Sequence, residues 1–404
     1  MDSQANLVIG YPGHDLILED IVRADNCYLY DSNGKRYVDL ESGVWCTSIG
    51  HGNPEVVHAI AEQLSRITHT GFGYSAPVVE RAAREILFLF GFDEGRCVFL
   101  CSGSEAVEYG VRTAQSVIRE PVLMTMADSY FGAYGSAHQR QADEWFCFDW
   151  TTCATCPYDQ DCSDECRHWA AIPFPDIGGF LFEPGSSSGL VRFPPEKLIQ
   201  NIVARIREKS GLLLVNEVTT GIGRTGLWFG YQHYGISPDI VAIGKGIGNG
   251  YPVSATVFGP TVVNMLEGRQ IKYGQSHQND PLGAAVARRV VNVIREEQLI
   301  ERSRVVSAAL VSGLERILER TGRIKDIRSR GLMIAVEVSD SPDCPFTARI
   351  HRELVDKGFI LGRRPGINVL RLDPSLTIGK DDIDEFLEVF ENVLIGLEDS
   401  EARP

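Results

Sequence analysis

The sequence has little positive charge and no long hydrophobic run. Its 404 residues include 39 lysines and arginines against 54 aspartates and glutamates, which gives a formal net charge of −15 and a pI near 5.1. A surface of that sign argues against binding to nucleic acid or anionic membranes. No apolar segment is long enough to span a bilayer, and no cationic leader precedes an apolar run. We therefore expect a cytoplasmic protein without a nucleic-acid or membrane partner.

Internal repeats and low-complexity tracts are also missing. With 44% hydrophobic residues the chain can bury a large core, and its length favours two or more domains. Strand-like runs, glycine-rich loops and helical stretches alternate along most of the chain, which predicts an α/β domain with a mostly parallel sheet. From about Pro281 onward, long helices and a few strands predict a separate α+β domain.

A glycine-rich stretch near residue 245 carries the most informative side chain. An apolar run rich in β-branched residues predicts a buried strand that ends at Lys245, and Gly246 and Gly248 follow. The charge of a lysine at the end of a core strand must be solvated, paired or lost. A lysine with a lowered pKa in such a place can attack a carbonyl and form a Schiff base. The alternative is a lysine whose long side chain simply reaches solvent.

A second stretch has the features of an anion site. The predicted strand from Cys97 to Cys101 runs into Ser102-Gly-Ser-Glu and then into a helix. Serine at a helix start with glutamate three residues later is a capping signature. The free backbone N–H groups and the helix dipole at the same place attract anions. The residues are therefore compatible with an ordinary cap or with a phosphate site.

Half of the ten cysteines lie in one short region: Cys147, Cys153, Cys156, Cys162 and Cys166. The last four have the spacing C-x2-C-x5-C-x3-C, at which thiolates can close around zinc or hold an iron–sulfur cluster. This density favours a metal cluster over the disulfide framework of a secreted protein, with free buried thiols or an oxidised pair as the alternative. Zinc is the better interpretation, because nothing nearby suggests a redox partner.

Together these motifs resemble those of the class III (ω-type) aminotransferases, which carry pyridoxal phosphate on a type I fold. The resemblance covers almost the whole chain, and the order of the motifs is more specific than any one of them. It implies a large α/β domain at residues 54–295, with a cysteine-rich insertion at 147–168, and a small domain built from residues 1–53 and 296–404. It also implies a homodimer whose active sites are shared at the subunit interface.

The resemblance also assigns site residues, position by position. It makes Lys245 the Schiff-base lysine that moves the proton between substrate and cofactor. Arg371 matches the arginine that commonly grips a substrate carboxylate, with an ion pair inside the small domain as the alternative. Trp45 is the other residue expected at the substrate. The residues that the resemblance places at the cofactor are Gly103, Ser104, Tyr130, Glu183, Asn216, Thr219, Lys245 and Ser276, the last reaching the phosphate from the partner subunit.

The sequence departs from the family pattern at three places. Asn216 replaces the family's aspartate, so we expect the pyridine nitrogen to be protonated less often and the ring to be a weaker electron sink. Ala133 stands where members that act on amino acids often carry an arginine, which makes acetylornithine and 4-aminobutyrate less favoured donors. Trp45-Cys46 is instead similar to the ω-amine:pyruvate branch. The cysteine-rich stretch is the third departure, and we expect it to shape a loop over the active site or the dimer face.

The sequence therefore predicts a pyridoxal-phosphate-dependent transaminase that moves an amino group from an amine or ω-amino acid to a 2-oxo acid. The first alternative is an amino-acid racemase, epimerase or aminomutase on the same fold, because proton return to the substrate carbon suits a poorly protonated ring. The second alternative is a non-catalytic protein that binds the cofactor or a metal.

Overall fold

The computed structural model describes residues 7–10, 16–157, 161–339 and 346–401. Its strands are β1 Ile21–Asp25, β2 Tyr28–Asp31, β3 Arg36–Asp39, β4 Arg96–Leu100, β5 Val122–Met126, β6 Trp145–Phe148, β7 Ile177–Phe182, β8 Leu212–Asn216, β9 Ile240–Ile243, β10 Ser254–Phe258, β11 Ile324–Arg330, β12 Met333–Val338, β13 Phe359–Ile360, β14 Gly362–Arg363 and β15 Val369–Leu372. Its helices are α1 Ser42–Trp45, α2 Pro54–Arg66, α3 Pro77–Phe90, α4 Gly103–Val117, α5 Ser136–Gln139, α6 Arg167–Ala170, α7 Glu196–Arg207, α8 Pro260–Met265, α9 Pro281–Glu296, α10 Leu299–Thr321, α11 Phe346–Asp356 and α12 Lys380–Glu401.

The central sheet has seven strands in the order β4-β10-β9-β8-β7-β5-β6. Strands β6, β5, β7, β8 and β9 pair in parallel, and β10 is antiparallel to both of its neighbours. Every residue of β7, β8 and β9 is buried, because helices cover both faces of a parallel sheet and select continuous apolar runs. The carboxyl ends of these strands meet at one edge, where ligands bind in such sheets.

Helix α4 covers the sheet and begins at that same edge. Its first turn is closed by a capping box, in which Ser102 Oγ accepts from the N–H of Glu105 and the Glu105 side chain accepts from the N–H of Ser102. The buried positions of α4 recur at helical spacing and pack against β8, β9 and β10. The predicted strand–cap–helix unit is therefore present.

Two four-stranded sheets lie outside the central one. The first has the order β1-β2-β3-β13, so the amino-terminal hairpin shares a sheet with Phe359–Ile360 from far along the chain. The second has the order β11-β12-β15-β14 and carries Arg371 on β15. The large, mostly parallel sheet with smaller α+β structure beside it is the predicted fold. The residue boundaries of the domains stay a prediction.

None of the helices in the described ranges has the length and apolar character needed to cross a bilayer.

Candidate active site

Lys245 lies at the carboxyl edge of the central sheet, directly after β9 and Gly244. Its backbone has a φ of 45°, in the left-handed region, where a short 3-10 turn begins. The Nζ atom donates a hydrogen bond to Thr219 Oγ1 at 3.1 Å and lies 4.5 Å from the centre of the Trp45 ring. Lys245 therefore points into the protein and is not a lysine that reaches for solvent.

Burial controls the protonation of Lys245. Loss of hydration lowers the pKa of Lys245 to about 8, although the negative charges of Cys46 and Glu183 favour the protonated form. The positive charge of Arg371 acts in the same direction as burial. A much larger fraction of the amine is consequently neutral near pH 7 than for a lysine in water, and a neutral amine is the form that attacks a carbonyl.

The first turn of α4 and the segment before Lys245 are packed against each other through glycine. A Cβ built on Gly103 would lie 2.6 Å from Val218 Cγ1, and a Cβ built on Gly244 would lie 3.3 Å from the Cα of Gly103. The N–H groups of Gly103 and Ser104 have no acceptor within the helix, because they belong to its first turn. The free donors of a 15-residue helix thus lie beside the lysine, where they fit a phosphate group.

The backbone of Tyr130 is fixed from two neighbouring strand ends. Its N–H donates to Glu183 Oε2 at 3.0 Å, and its carbonyl accepts from Asn216 Nδ2 at 3.0 Å. Its side chain is 42% exposed. A loop residue with a fixed backbone and an accessible ring is suited to form a platform for a flat ligand.

Glu183 and Asn216 are both buried, and their remaining polar atoms are also used. Ser187 Oγ donates to Glu183 Oε1 at 2.6 Å, and burial raises the pKa of Glu183 to about 7. Asn216 Oδ1 accepts from the N–H of Val218 at 3.1 Å. The asparagine therefore ties the loop after β8 to the loop that carries Tyr130. An aspartate could accept from Val218 but could not donate to Tyr130.

Arg371 is the cation on the opposite side of the site. Its Nη2 donates to Glu41 Oε1 at 3.1 Å, and its guanidinium lies 4.0 Å from the centre of the Trp45 ring. Its Nε lies 4.0 Å from Asp373 Oδ2, which is longer than a hydrogen bond. The Trp45 ring thus contacts both Lys245 and Arg371. Both predicted roles of Arg371, as a substrate clamp and as an ion-pair partner, are compatible with this geometry.

The turn that carries Trp45 is left-handed. Ser42, Gly43, Val44 and Trp45 have φ values of 46°, 57°, 58° and 66°. The left-handed conformation costs roughly 1–2 kcal/mol for each residue other than glycine, so the surroundings must hold the turn in place. Such consecutive strain is typical of segments that position a side chain for function.

Buried polar residues hold this turn. Asp39 Oδ1 accepts from the N–H of Ser42 at 2.8 Å, and Ser42 Oγ donates to the carbonyl of Asp373 at 2.6 Å. Arg224, which is only 2% exposed, donates from Nη2 to Ser42 Oγ at 3.1 Å. Sequence reasoning missed Glu41 as well as Asp39, Ser42, Asp373 and Arg224. The contacts of Glu41, Asp373 and Arg224 have no local signal, because they join positions at least 182 residues apart. The contact of Asp39 is local, but it forms only in the left-handed turn.

The structure does not bring every predicted site residue to Lys245. Thr219 is in direct contact with it, and Gly103 and Ser104 lie at the start of the neighbouring helix. Ser276 is exposed on the loop before α9. Its predicted role depends on a second subunit, so that role stays a prediction.

The four clustered cysteines lie apart from these residues and line a common cavity with His168. In the described part of the chain, three potential metal ligands have atoms within 4.8 Å of one another, and these are His69, His277 and Asp280. The clustered cysteines do not meet this distance. The cysteine sulfurs are therefore more widely spaced than in a closed zinc site, and the metal assignment stays a prediction.

Comparison with protein families decides the kind of site. The family model described as aminotransferase class-III matches residues 9–141 and 149–394. The chain belongs to the class III aminotransferases. The predicted family is confirmed, and pyridoxal phosphate is the cofactor of this family. The match includes the four clustered cysteines and leaves out only residues 142–148 between its two parts.

Individual relatives agree with this membership. An acetylornithine aminotransferase from Bacillus subtilis is 29% identical, with 91% of this chain and 92% of the relative covered. A leucine/methionine racemase from Thermococcus litoralis is 28% identical, with 94% and 91% covered. A transaminase from the marine bacterium Virgibacillus has a TM-score of 0.84 at 24% identity, with 95% and 94% covered, which confirms the fold.

Family membership and these relatives show that the chain is an enzyme that acts as a transaminase. The family implies an amine or amino acid and a 2-oxo acid as its substrates. The non-catalytic alternative loses its support, because the relatives are enzymes and Lys245 lies in a formed site.

Proposed function

We propose that this class III aminotransferase uses Lys245 to move an amino group from an amine or ω-amino acid to a 2-oxo acid. The observation that carries the proposal is the position of the Lys245 amine, buried, hydrogen-bonded to Thr219 and adjacent to the open first turn of α4. A partly deprotonated amine beside a phosphate site has the two features that pyridoxal phosphate requires of a protein.

In this proposal Lys245 holds the cofactor covalently through Nζ, and the first turn of α4 at Gly103 and Ser104 holds the phosphate. Tyr130 and Asn216 contribute the platform and the edge of the ring site. When bound, pyridoxal phosphate supplies a carbon that accepts the amino group and a ring that withdraws electrons from the substrate carbon. The fit is supported by the two close glycine contacts, at which any side chain would fill the space.

Lys245 also moves the proton. When not bound to the cofactor, the neutral Nζ amine would accept the proton from the substrate carbon as a base and would then give it up as an acid. Thr219 Oγ1 orients Nζ through the 3.1 Å hydrogen bond, and the Trp45 ring shields the amine from water. Shielding keeps the pKa of Lys245 near the working pH, which is the best value for a group that must both accept and give a proton.

Arg371 binds a substrate carboxylate through its forked guanidinium. Glu41 occupies this position in the structure, so a carboxylate must displace it. Burial raises the pKa of Glu41, and the charge of Arg371 opposes that rise. Ala133 offers no second cationic clamp, which favours substrates with a single carboxylate.

The proposal includes a homodimer with shared active sites and a cytoplasmic location. Phe72 and Tyr74 are 78% and 79% exposed, and such aromatic side chains are common at subunit interfaces. The nine cysteines in the described ranges form no disulfide with one another, which is usual in reducing compartments. The division into residues 54–295 and a small domain from both ends is supported by the pairing of β13 with β3.

The second candidate is an amino-acid racemase or epimerase. It is favoured by Asn216, because a neutral side chain there would leave the ring nitrogen protonated less often. The ring would then withdraw fewer electrons, which suits return of the proton to the substrate carbon. A relative 28% identical to the chain bears the name leucine/methionine racemase.

A half-reaction separates the two functions. Purified protein loaded with pyridoxal phosphate is mixed with a panel of amines and amino acids, and products are measured by mass spectrometry. We expect about one equivalent of a 2-oxo or carbonyl product per active site from one donor class, reversed by adding a 2-oxo acid. Loss of optical activity or uptake of solvent deuterium, without the carbonyl product, would instead identify the racemase.

Replacing Asn216 with aspartate tests the ring contact. The carboxylate should raise the pKa of the ring nitrogen. A pKa higher by one changes the ratio of protonated to neutral ring about tenfold at a given pH. Because the Tyr130 carbonyl loses its donor, we also expect unfolding in urea to become easier by about 1–3 kcal/mol. The measurements are the transamination rate and the urea midpoint of the cofactor-free protein.

Asn216→Ala is the matched control, since it also removes the Tyr130 contact but adds no charge. Both variants should lose stability, and only Asn216→Asp should change the ratio of transamination to proton return. Equal effects of both variants on that ratio would show that position 216 does not face the ring.

A further inference from the structure

The segment from Thr151 to His168 forms what we call the cysteine lobe, of which residues 158–160 lie outside the described part. Ten of its fifteen described residues are exposed. Those that are not exposed are Cys153, Cys156, Cys162, Cys166 and His168. Within the described residues, the lobe thus has no apolar core of its own. Cys153, Cys162 and Cys166 pack against the main core of the protein, and a metal or a disulfide would add to this attachment.

The four thiols face the same space. They line a cavity of about 20 Å³, which has room for a single ion or water molecule. The rest of the lining is Phe148, Asp161, His168, Trp169 and Leu198. The four cysteines lie up to 13 residues apart in the sequence, and the lobe brings them to one cavity.

We propose that the cysteine lobe is a structural zinc site with Cys153, Cys156, Cys162 and Cys166 as its four ligands. This proposal concerns stability and is independent of the proposed reaction. His168 is a weaker candidate ligand, because its Nε2 accepts a hydrogen bond from Arg167 Nε at 3.3 Å. Asp161 is exposed. Four thiolates complete a tetrahedral site without either of them.

Zinc binding requires the lobe to contract slightly. A Zn–S distance of about 2.3 Å places tetrahedral sulfurs about 3.8 Å apart. The described cysteines are not among the groups whose ligand atoms all lie within 4.8 Å. We expect rotation of the cysteine side chains to bring the sulfurs together, and the thiols lose their protons to solvent on binding. The small cavity favours one ion over a multi-atom cluster.

The lobe is connected to the active site through two hydrogen bonds. The N–H of Cys153 donates to the carbonyl of Trp150 at 2.7 Å, and Trp150 Nε1 donates to Asp128 Oδ1 at 2.8 Å. Asp128 lies two residues before Tyr130. A zinc ion in the lobe would therefore brace the loop that carries the platform residue, which is a positioning effect and not a catalytic one.

The test is the metal content of the full-length protein, expressed without a metal-binding tag and purified without chelators. We expect about one zinc per chain by inductively coupled plasma mass spectrometry. The double variant Cys162→Ser/Cys166→Ser should contain at least about fivefold less zinc per chain than the wild type. Cys147→Ser is the matched control, because Cys147 is exposed on β6 nearby and does not line the cavity. It should retain the wild-type zinc content.

A second measurement on the wild-type protein does not depend on whether a variant folds. Alkylation followed by peptide mass spectrometry should label Cys147 at once and the four lobe cysteines only after a zinc chelator is added. The zinc site is refuted by any of three results: less than about 0.2 zinc per chain, iron with inorganic sulfide in place of zinc, or disulfides among the four cysteines.

Discussion

Replacing Lys245 with alanine is expected to reduce turnover by about 10⁴-fold or more, because the amine that forms the Schiff base and moves the proton is removed. The Nζ atom that is removed is held by Thr219 Oγ1 and shielded by Trp45. The variant should also lose the covalently held cofactor, seen as loss of its visible absorbance band after desalting. Turnover and absorbance are measured on the same preparation.

Thr219→Val is the control that keeps the amine and removes only its hydrogen bond. A single hydrogen bond contributes about 0.5–1.5 kcal/mol, so the rate should fall roughly tenfold or less and the absorbance band should persist. Circular dichroism establishes that both variants are folded. If Lys245→Ala keeps its band and turns over within tenfold of the wild type, the catalytic lysine lies elsewhere.

The part of this site that sequence predicts is the part built from strand ends. Glu183, Asn216 and Lys245 each follow a continuous apolar run, and in a parallel sheet such runs end at a common edge. Local pattern therefore fixes which residues meet, even though they are separated by tens of residues. The capping box at Ser102 is likewise a local signal, and it correctly predicts where α4 begins.

The left-handed turn at Trp45 lies beyond such reasoning. Three of its residues are not glycine, so their preferences argue against the conformation that they adopt. What holds them is partly tertiary, namely the contacts of Ser42 with Asp373 and Arg224, and the local contact with Asp39 adds to these. The ion pair of Arg371 with Glu41 is of the same kind, because it joins positions 330 residues apart.

The cysteine lobe lies between these cases. Spacing alone predicts four ligands, and the structure gathers the same four thiols round one cavity. Spacing does not predict the connection to the active site, since that depends on Trp150 reaching Asp128 across neighbouring strand ends. The sequence therefore predicts the cysteine ligands but not the contact between the lobe and the active-site loop.

Replacing Arg371 should also have a large effect. Glu41 competes with the substrate for this arginine, so it determines how strongly a substrate carboxylate can bind. Arg371→Leu should raise the KM for carboxylate substrates by about 10²-fold or more, because a charge-assisted pair in a buried site contributes about 2–5 kcal/mol. Amines that lack a carboxylate should keep their kcat/KM within a few-fold. Steady-state kinetics with one donor of each kind, matched in chain length, measures the difference.

Glu41→Gln is the variant that should act in the opposite direction. It leaves Arg371 in place and removes the carboxylate that competes with the substrate, so the KM for carboxylates should fall several-fold. Arg371→Leu alone leaves Glu41 buried without its partner, and the double variant Glu41→Gln/Arg371→Leu should recover stability without recovering the KM. Equal losses for amines and carboxylates in Arg371→Leu would assign the arginine to holding Trp45 and the left-handed turn, with the substrate carboxylate bound elsewhere.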